Sequence, residues 1–120
     1  MIRVVNLADT LASFSSQWDP KVIGELNGQH VKLVKLQGEF VWHAHADADE
    51  LFLVLAGSLD MQYRDRTVTV REGELVIVPR GVEHCPRAEV ETHVLLFEPA
   101  GTLNTGDAGG GRTVSDPERL

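Results

Sequence analysis

Short runs in which apolar and polar residues alternate, each closed by a turn, constrain this chain more than any other feature. From Lys21 onward the period is two, and the spacing predicts strands over residues 21–26, 30–36, 39–45, 51–56, 59–64, 67–71, 75–78 and 90–98. Successive side chains on a strand point to opposite faces, so each run sorts its residues into two sets. Val31 and Leu33 share one face of their run, and Val34 and Leu36 share the other, which predicts cover on both sides. Residues 51–56 are apolar throughout, as in a strand covered on both faces. Asn27-Gly28 is a two-residue hairpin signal. Gly38, Gly57-Ser58, Arg64-Asp65-Arg66, Glu72-Gly73 and Pro79 close the other runs. About eight or nine short strands with turns this frequent fit an all-β sandwich or barrel, and an eight-stranded jelly roll accommodates them.

Outside the strands the chain has two flanks, giving 1–20 as helix and loop, 21–99 as barrel and 100–120 as an arm. Residues 6–14 are expected to form a short helix. Asn6 suits the N-cap, Asp9 the first turn, and Leu7, Leu11 and Phe14 one apolar stripe. Such a helix is marginal alone and must dock on the barrel. The last segment holds Gly106, Gly109, Gly110 and Gly111, a composition that predicts a flexible arm. The other reading is an arm that orders against a partner subunit or covers the barrel mouth.

The chemistry concentrates in His43-Ala44-His45-Ala46-Asp47-Ala48-Asp49-Glu50. On a strand, His43 and His45 project from one side. Glu50 has the opposite parity, and the Ala-Asp-Ala-Asp bend lets the chain return with Glu50 facing the same point. Two imidazoles and a carboxylate converging there suit a divalent transition metal. His84 is available as a fourth ligand. A single histidine on a strand is usually an ordinary core or surface residue. Here the framing raises the reading: the two segments are G-x4-HxH-x4-E-x6-G, from Gly38 to Gly57, and G-x5-P-x-G-x2-H, from Gly73 to His84.

In these two motifs the chain resembles the cupin superfamily over about residues 29 to 99, among its small single-domain metal-binding members. The first glycine stands one residue closer to the histidine pair than in the usual pattern, and Ala88 occupies the place where an asparagine is common. The resemblance implies a double-stranded β-helix, or jelly-roll barrel. It also implies an open site in which His43, His45, Glu50 and His84 hold Zn, Mn, Fe, Ni, Co or Cu.

Parity also predicts the surroundings. With Glu50 inward, Phe52, Val54 and Ala56 face inward; with the histidines inward, so do Glu39 and Val41. Leu59, Met61 and Tyr63 are inward neighbours, and Tyr63 is the candidate proton donor or substrate anchor. Asp47, Asp49 and Glu83 are candidates to hold the outer ring nitrogens of the ligand histidines. Phe40 and Trp42 then face outward and want cover, from the helix in part and from a second subunit, which predicts a homodimer. His30 and His93 have no motif around them.

Composition excludes several classes. Eighteen acidic against eleven basic residues give a formal net charge of −7, which argues against nucleic acid as the main partner. One cysteine, Cys85, excludes an intramolecular disulfide and reads as a buried inert thiol. The longest apolar run is far too short to span a bilayer, and residues 1–5 lack the core of a signal peptide, so the chain is expected to be cytoplasmic. The cupin resemblance implies a metal-dependent enzyme on a small organic substrate, isomerase- or epimerase-like or dioxygenase-like. Arg80 and Arg87 are the candidate phosphate clamp for a sugar-phosphate substrate. The alternative is a non-catalytic metal- or ligand-binding module, a sensor or a store.

Overall fold

The structure, a computed structural model, describes residues 2–120. One short helix, α1 (Leu7–Ala12), precedes seven strands. They are β1 (Lys21–Leu26), β2 (Gln29–Glu39), β3 (Glu50–Ala56), β4 (Ser58–Tyr63), β5 (Thr67–Arg71), β6 (Leu75–Val78) and β7 (His84–Pro99). All pairings between strands are antiparallel, in the order β1-β2-β7-β3-β6, with β4 joined to β5 and to β7. The chain thus forms the all-β jelly-roll barrel that its turn spacing and its motifs imply. Among the described residues no helix is long and apolar enough to cross a membrane.

The long strand β7 is the hinge of the architecture. Its first residues pair with β4, His84 opposite Tyr63 and Arg87 opposite Asp60. Its later residues pair with β3, and β2 runs along both halves. The inner faces close on Val34, Leu36, Phe52, Val54, Leu59, Met61, Val70, Val78, Ala88, Val94 and Leu96. Eleven buried apolar side chains on one inner face supply the area that drives this closure. A second cluster lies on the outside, where Leu11 of α1 packs on Ile23 and Leu33, with Leu7, Phe14, Val31 and Leu95 around them. Here the helix finds the support that its length requires. Its N-cap is as expected, since the Asn6 side chain accepts from Asp9 N at 2.9 Å. Asn27 and Gly28 both have positive φ, 52° and 75°, the twist a two-residue β1–β2 hairpin needs.

Three expectations need correction. Gly38 does not end a strand: β2 continues to Glu39 with a register irregularity between Leu36 and Gly38. Residues 40–45 are not a strand either; their one bridge joins His43 to His84. The last strand starts at His84 rather than at 90, and carries Pro86 inside it, opposite Met61. Proline reads locally as a strand breaker, but its carbonyl still accepts here, from Phe40 N at 3.0 Å.

Because 40–45 is not a strand, its parity does not set its faces. Phe40, expected to point outward, stacks on Trp18 with centroids 4.6 Å apart and meets the His43 ring edge-on at 5.5 Å. Trp42 lies under the Arg64 guanidinium at 4.0 Å. The helix covers neither of them. Residues 100–120 run along the barrel in the structure. Leu120 N donates to Val22 O, Arg112 donates to Glu39 O, and Thr105 is fully buried.

Candidate metal centre

His43, His45, Glu50 and His84 come together. One donor atom from each lies within 4.8 Å of the other three, and all four residues are buried. The elements that bring them are distinct. Glu50 opens β3 opposite Val78, and His84 opens β7 opposite Tyr63. The irregular segment between β2 and β3 carries the histidine pair and is held by backbone bonds from three directions. His43 exchanges both backbone bonds with His84 (3.0 and 2.9 Å), and His45 O accepts from Gly81 N at 2.8 Å. Ala44 exchanges two with Asp107, from its N–H to Oδ1 at 2.8 Å and from Asp107 N to its carbonyl at 3.0 Å.

The ring nitrogens are sorted by backbone carbonyls. His43 Nδ1 lies 2.9 Å from Val41 O, and His84 Nδ1 lies 2.9 Å from Val82 O. A carbonyl can only accept, so each Nδ1 carries the proton and each Nε2 keeps a lone pair for the centre. The acids expected in this role are elsewhere. Asp49 takes Arg80 N at 2.8 Å and the Arg80 guanidinium, and Glu83 pairs with Arg64 at 3.0 Å. Asp47 is exposed.

The residues fit a divalent metal. His45 Nε2, His84 Nε2 and Glu50 Oε1 are buried with no hydrogen-bond partner, although His45 Nε2 and Glu50 Oε1 stand only 3.3 Å apart. Buried polar atoms are rarely left unpaired, and three gathered at one point form a set that could hold an ion. Donors about 2.0–2.2 Å from one ion lie at most about 4.4 Å apart, so the set needs only a small contraction. Burial, with the neighbouring His84 and His45 rings, lowers the pKa of His43 to about 4, against its bond to Val41 O. The ring is therefore neutral, the ligating form, at ordinary pH.

A buried acid and base stand behind Glu50. Lys32 Nζ and Glu98 Oε1 are 2.8 Å apart, both residues almost fully buried, and the Glu98 carboxyl meets that of Glu50. Two carboxyls in contact do not both ionise readily. Burial and then Glu50 push the pKa of Glu98 up, and Lys32 opposes them without prevailing. Burial also works to raise Glu50, but the adjoining Glu98 carboxyl and the nearby His45 and His84 rings outweigh it and hold Glu50 low. Glu98 is thus the member that keeps the proton, and Glu50 is ionised. Lys32 and Glu98 belong to no motif of the sequence, although parity marks them. Lys32 alternates in register with Val34 and Leu36, and Glu98 with Val94 and Leu96, all inward.

A chamber opens on the centre, lined by Trp18, Phe40, Leu36, Phe52 and Leu96 and ending at His43 and Glu50. Asn104 also lines it, but its amide is committed within its own loop, donating to Arg112 O and accepting from Val114 N. Phe52 and Val54 point inward as expected, whereas Glu39 is exposed. Tyr63 lies in a different hollow with Arg66, Val68 and Val82, so its hydroxyl does not face this chamber. Burial raises its pKa. Arg80 is tied to Asp49 and Arg87 to Asp60, and neither lines the chamber. His30 pairs with Glu25 and His93 sits by Glu91 at the surface. The Cys85 thiol is buried and its pKa raised by burial, as an inert thiol requires.

A seven-stranded antiparallel jelly roll that gathers three imidazoles and one carboxylate at the inner end of an apolar chamber defines a class of small β-barrel proteins with a cluster that could bind metal. The Cupin domain family matches residues 30–98, more than half of the chain, and the chain belongs to that family. It is similar to a cupin-2 domain containing protein from Shewanella frigidimarina NCIMB 400, with 46% identity and a TM-score of 0.79, covering 80% of this chain and 94% of that one. Protein NMB1881 from Neisseria meningitidis is 33% identical with a TM-score of 0.75, covering 82% of this chain and 100% of that one. The uncharacterised protein YdbB of Bacillus subtilis (strain 168) is 38% identical over 77 residues, 63% of this chain and 68% of that protein.

Proposed function

We propose that this cupin is a metal-dependent enzyme acting on a small, apolar, unphosphorylated organic molecule, in a dioxygenase-like rather than a sugar-isomerase-like reaction. The observation that carries the reading is the lining of the chamber. Its wall is aromatic and aliphatic, and its polar groups are His43 and Glu50, with the Asn104 amide already committed. A sugar phosphate needs a cation to meet its charge and donors for its hydroxyls, and the arginines near the second motif are paired outside. A divalent metal held by His43, His45, Glu50 and His84 supplies Lewis-acid polarisation or, when redox-active, activation of dioxygen. The chain's own residues do the rest. Trp18 and Phe40, stacked on each other, give an apolar substrate an aromatic wall. Val41 O and Val82 O hold the ligand rings, and Lys32 with Glu98 backs the carboxylate of Glu50. The test is the metal content of the purified protein, followed by oxygen uptake over a panel of small aromatic and enolic compounds set against sugar phosphates. Turnover of the sugar phosphates refutes the reading.

One observation favours a second reading, a non-catalytic metal-holding module. The free volume of the chamber is ≈ 30 Å³, far below the roughly 300 Å³ at which small-molecule pockets begin. An organic substrate enters only if Trp18, Phe40 or the C-terminal segment moves. Azide added to the cobalt-loaded protein separates the two. A changed visible spectrum marks a position open to exogenous ligands; an unchanged one supports the closed module.

We also propose that two copies pair, through the β6 edge rather than through Phe40 and Trp42. Leu75 and Ile77 are more than half exposed on this end strand of the sheet order. Exposed apolar edge strands are sites of self-association, and symmetric pairing covers both at once. Ile77→Glu then gives a monomer in sedimentation, and a wild-type monomer at high concentration refutes the pairing.

A further inference from the structure

The C-terminal segment lies outside the part of the chain that the Cupin domain matches, yet it reaches the metal centre. We infer that residues 104–107 clamp the backbone between the two ligand histidines, and that Asp107 is a positioning residue for His43 and His45. The inference rests on the reading of these residues as metal ligands. In an extended segment the backbone groups of neighbouring residues point to opposite sides. His43 uses its side to pair with His84, and the side of Ala44 is left to be met by another element. Asp107 meets it with both of its groups: its carboxylate accepts from Ala44 N at 2.8 Å, and its own N–H donates to Ala44 O at 3.0 Å. The clamp stands in for the missing neighbouring strand and fixes the residue between the two imidazoles.

The approach is close enough to require a glycine. Gly106 has φ +52°, and a Cβ there would fall 2.3 Å from Ala44 O and 3.1 Å from the His43 ring. The clamp is itself braced. Asn104 spans its loop to Arg112 and Val114, and Thr105, fully buried, bonds Thr113. Arg112 ties the loop to Glu39 O, and Leu120 N ties the end of the chain to Val22 O. A braced partner on the Ala44 backbone holds the two rings at a fixed separation, with centroids 5.0 Å apart. Groups that orient metal ligands without touching the metal typically contribute about ten- to a hundredfold to affinity.

The test measures zinc affinity by chelator competition, and the visible spectrum of the cobalt-loaded protein, in wild type, Asp107→Ala, Asp107→Asn and Gly106→Ala. Asp107→Ala should bind zinc about ten- to a hundredfold more weakly and shift the cobalt bands. Asp107→Asn, whose amide oxygen still accepts from Ala44 N, should keep the wild-type affinity and spectrum. Gly106→Ala displaces the same contact by steric means and should weaken binding in the same direction, which keeps the test open if Asp107→Ala fails to fold. Wild-type affinity in both Asp107→Ala and Gly106→Ala overturns the clamp while leaving the metal centre standing. Asp107→Asn as weak as Asp107→Ala overturns it too, since charge and not the hydrogen bond would then be acting. A wild-type protein that binds neither metal overturns the metal centre itself, and the clamp with it.

Discussion

Removing His84 should abolish the coupling between metal and stability without abolishing the fold. The four donors come from residues 43–50 and from residue 84, and the unfolded chain cannot present the full set at once. Metal therefore binds the native state preferentially and stabilises it by RT ln(1 + [L]/Kd), about 2.7 kcal/mol at a hundredfold excess over Kd. For a domain of this length each kcal/mol is worth roughly 4 °C in Tm, so saturating metal should raise Tm by about 10 °C over the chelated protein. His84 is fully buried and its Nε2 has no partner in the protein, so that atom is available to the ion. His84→Ala takes away this donor but leaves the backbone bridge to His43 in place. The truncation also leaves a void in the packing, which lowers the metal-free Tm by itself. The quantity to compare is thus the metal-dependent shift and not the absolute Tm. Differential scanning fluorimetry of both proteins, with chelator and then with zinc, manganese or nickel, reads it directly. An undiminished shift and full metal content in His84→Ala would refute the four-ligand site. His30→Ala, whose ring pairs with Glu25 away from the centre, is the control and should keep the full shift.

Other perturbations test the surroundings of the site. Burial lowers the pKa of His43 from 6.5 to about 4, so the unfolded state binds more protons between those values and the contribution of the neutral ring is lost as pH falls through them. The raised pKa of Glu98 acts oppositely, contributing stability at low pH that fades above 4.5, so the profile is best taken in metal-free Glu98→Gln. Its stability should climb by up to about 3 kcal/mol from pH 4 to 6.5 in urea titrations, and a flat profile contradicts the assigned burial. Lys32→Met strips the one cation from the buried Glu98–Glu50 pair and should cost roughly 3 kcal/mol or more. Adding Glu98→Leu should restore part of that loss, and additive losses in the double-mutant cycle would sink the pairing. Gly57→Ala should cost roughly 3–4 kcal/mol, because its φ is +92° and the new Cβ would meet Thr92 Oγ1 at 2.5 Å and Thr92 Cα at 3.0 Å. Gly73→Ala, with φ +80° and open space around it, should cost about 1–2 kcal/mol. Equal losses at the two glycines in chemical denaturation would show that the close approach to Thr92 is not felt.

The amino-acid sequence by itself determined what depends on neighbours in the chain. The alternation of side chains placed Val34, Leu36, Phe52, Val54, Leu59 and Met61 in the core, and Asn27-Gly28 marked its hairpin. The spacing of the histidines, Glu50 and the flanking glycines marked the four residues that the fold brings together. Tertiary structure decided what depends on partners far away. Residues 40–45 alternate like a strand, but β7 takes up their hydrogen bonds only at Phe40 and His43 and no strand lies on their other side, so Phe40 turns toward the site to meet Trp18. Pro86 looks like a stop and lies within a strand, because pairing with β2 and β4 outweighs one missing N–H. The holders of the ligand rings are backbone carbonyls, which every residue possesses, so no residue type could announce Val41 and Val82. Glycines in the last segment predict flexibility, yet Gly106 serves the opposite end, allowing a close approach to Ala44 from a point 62 residues further along the chain. Composition expresses only what a segment can do locally; its hydrogen-bond partners are set by which surfaces the closed barrel leaves beside it.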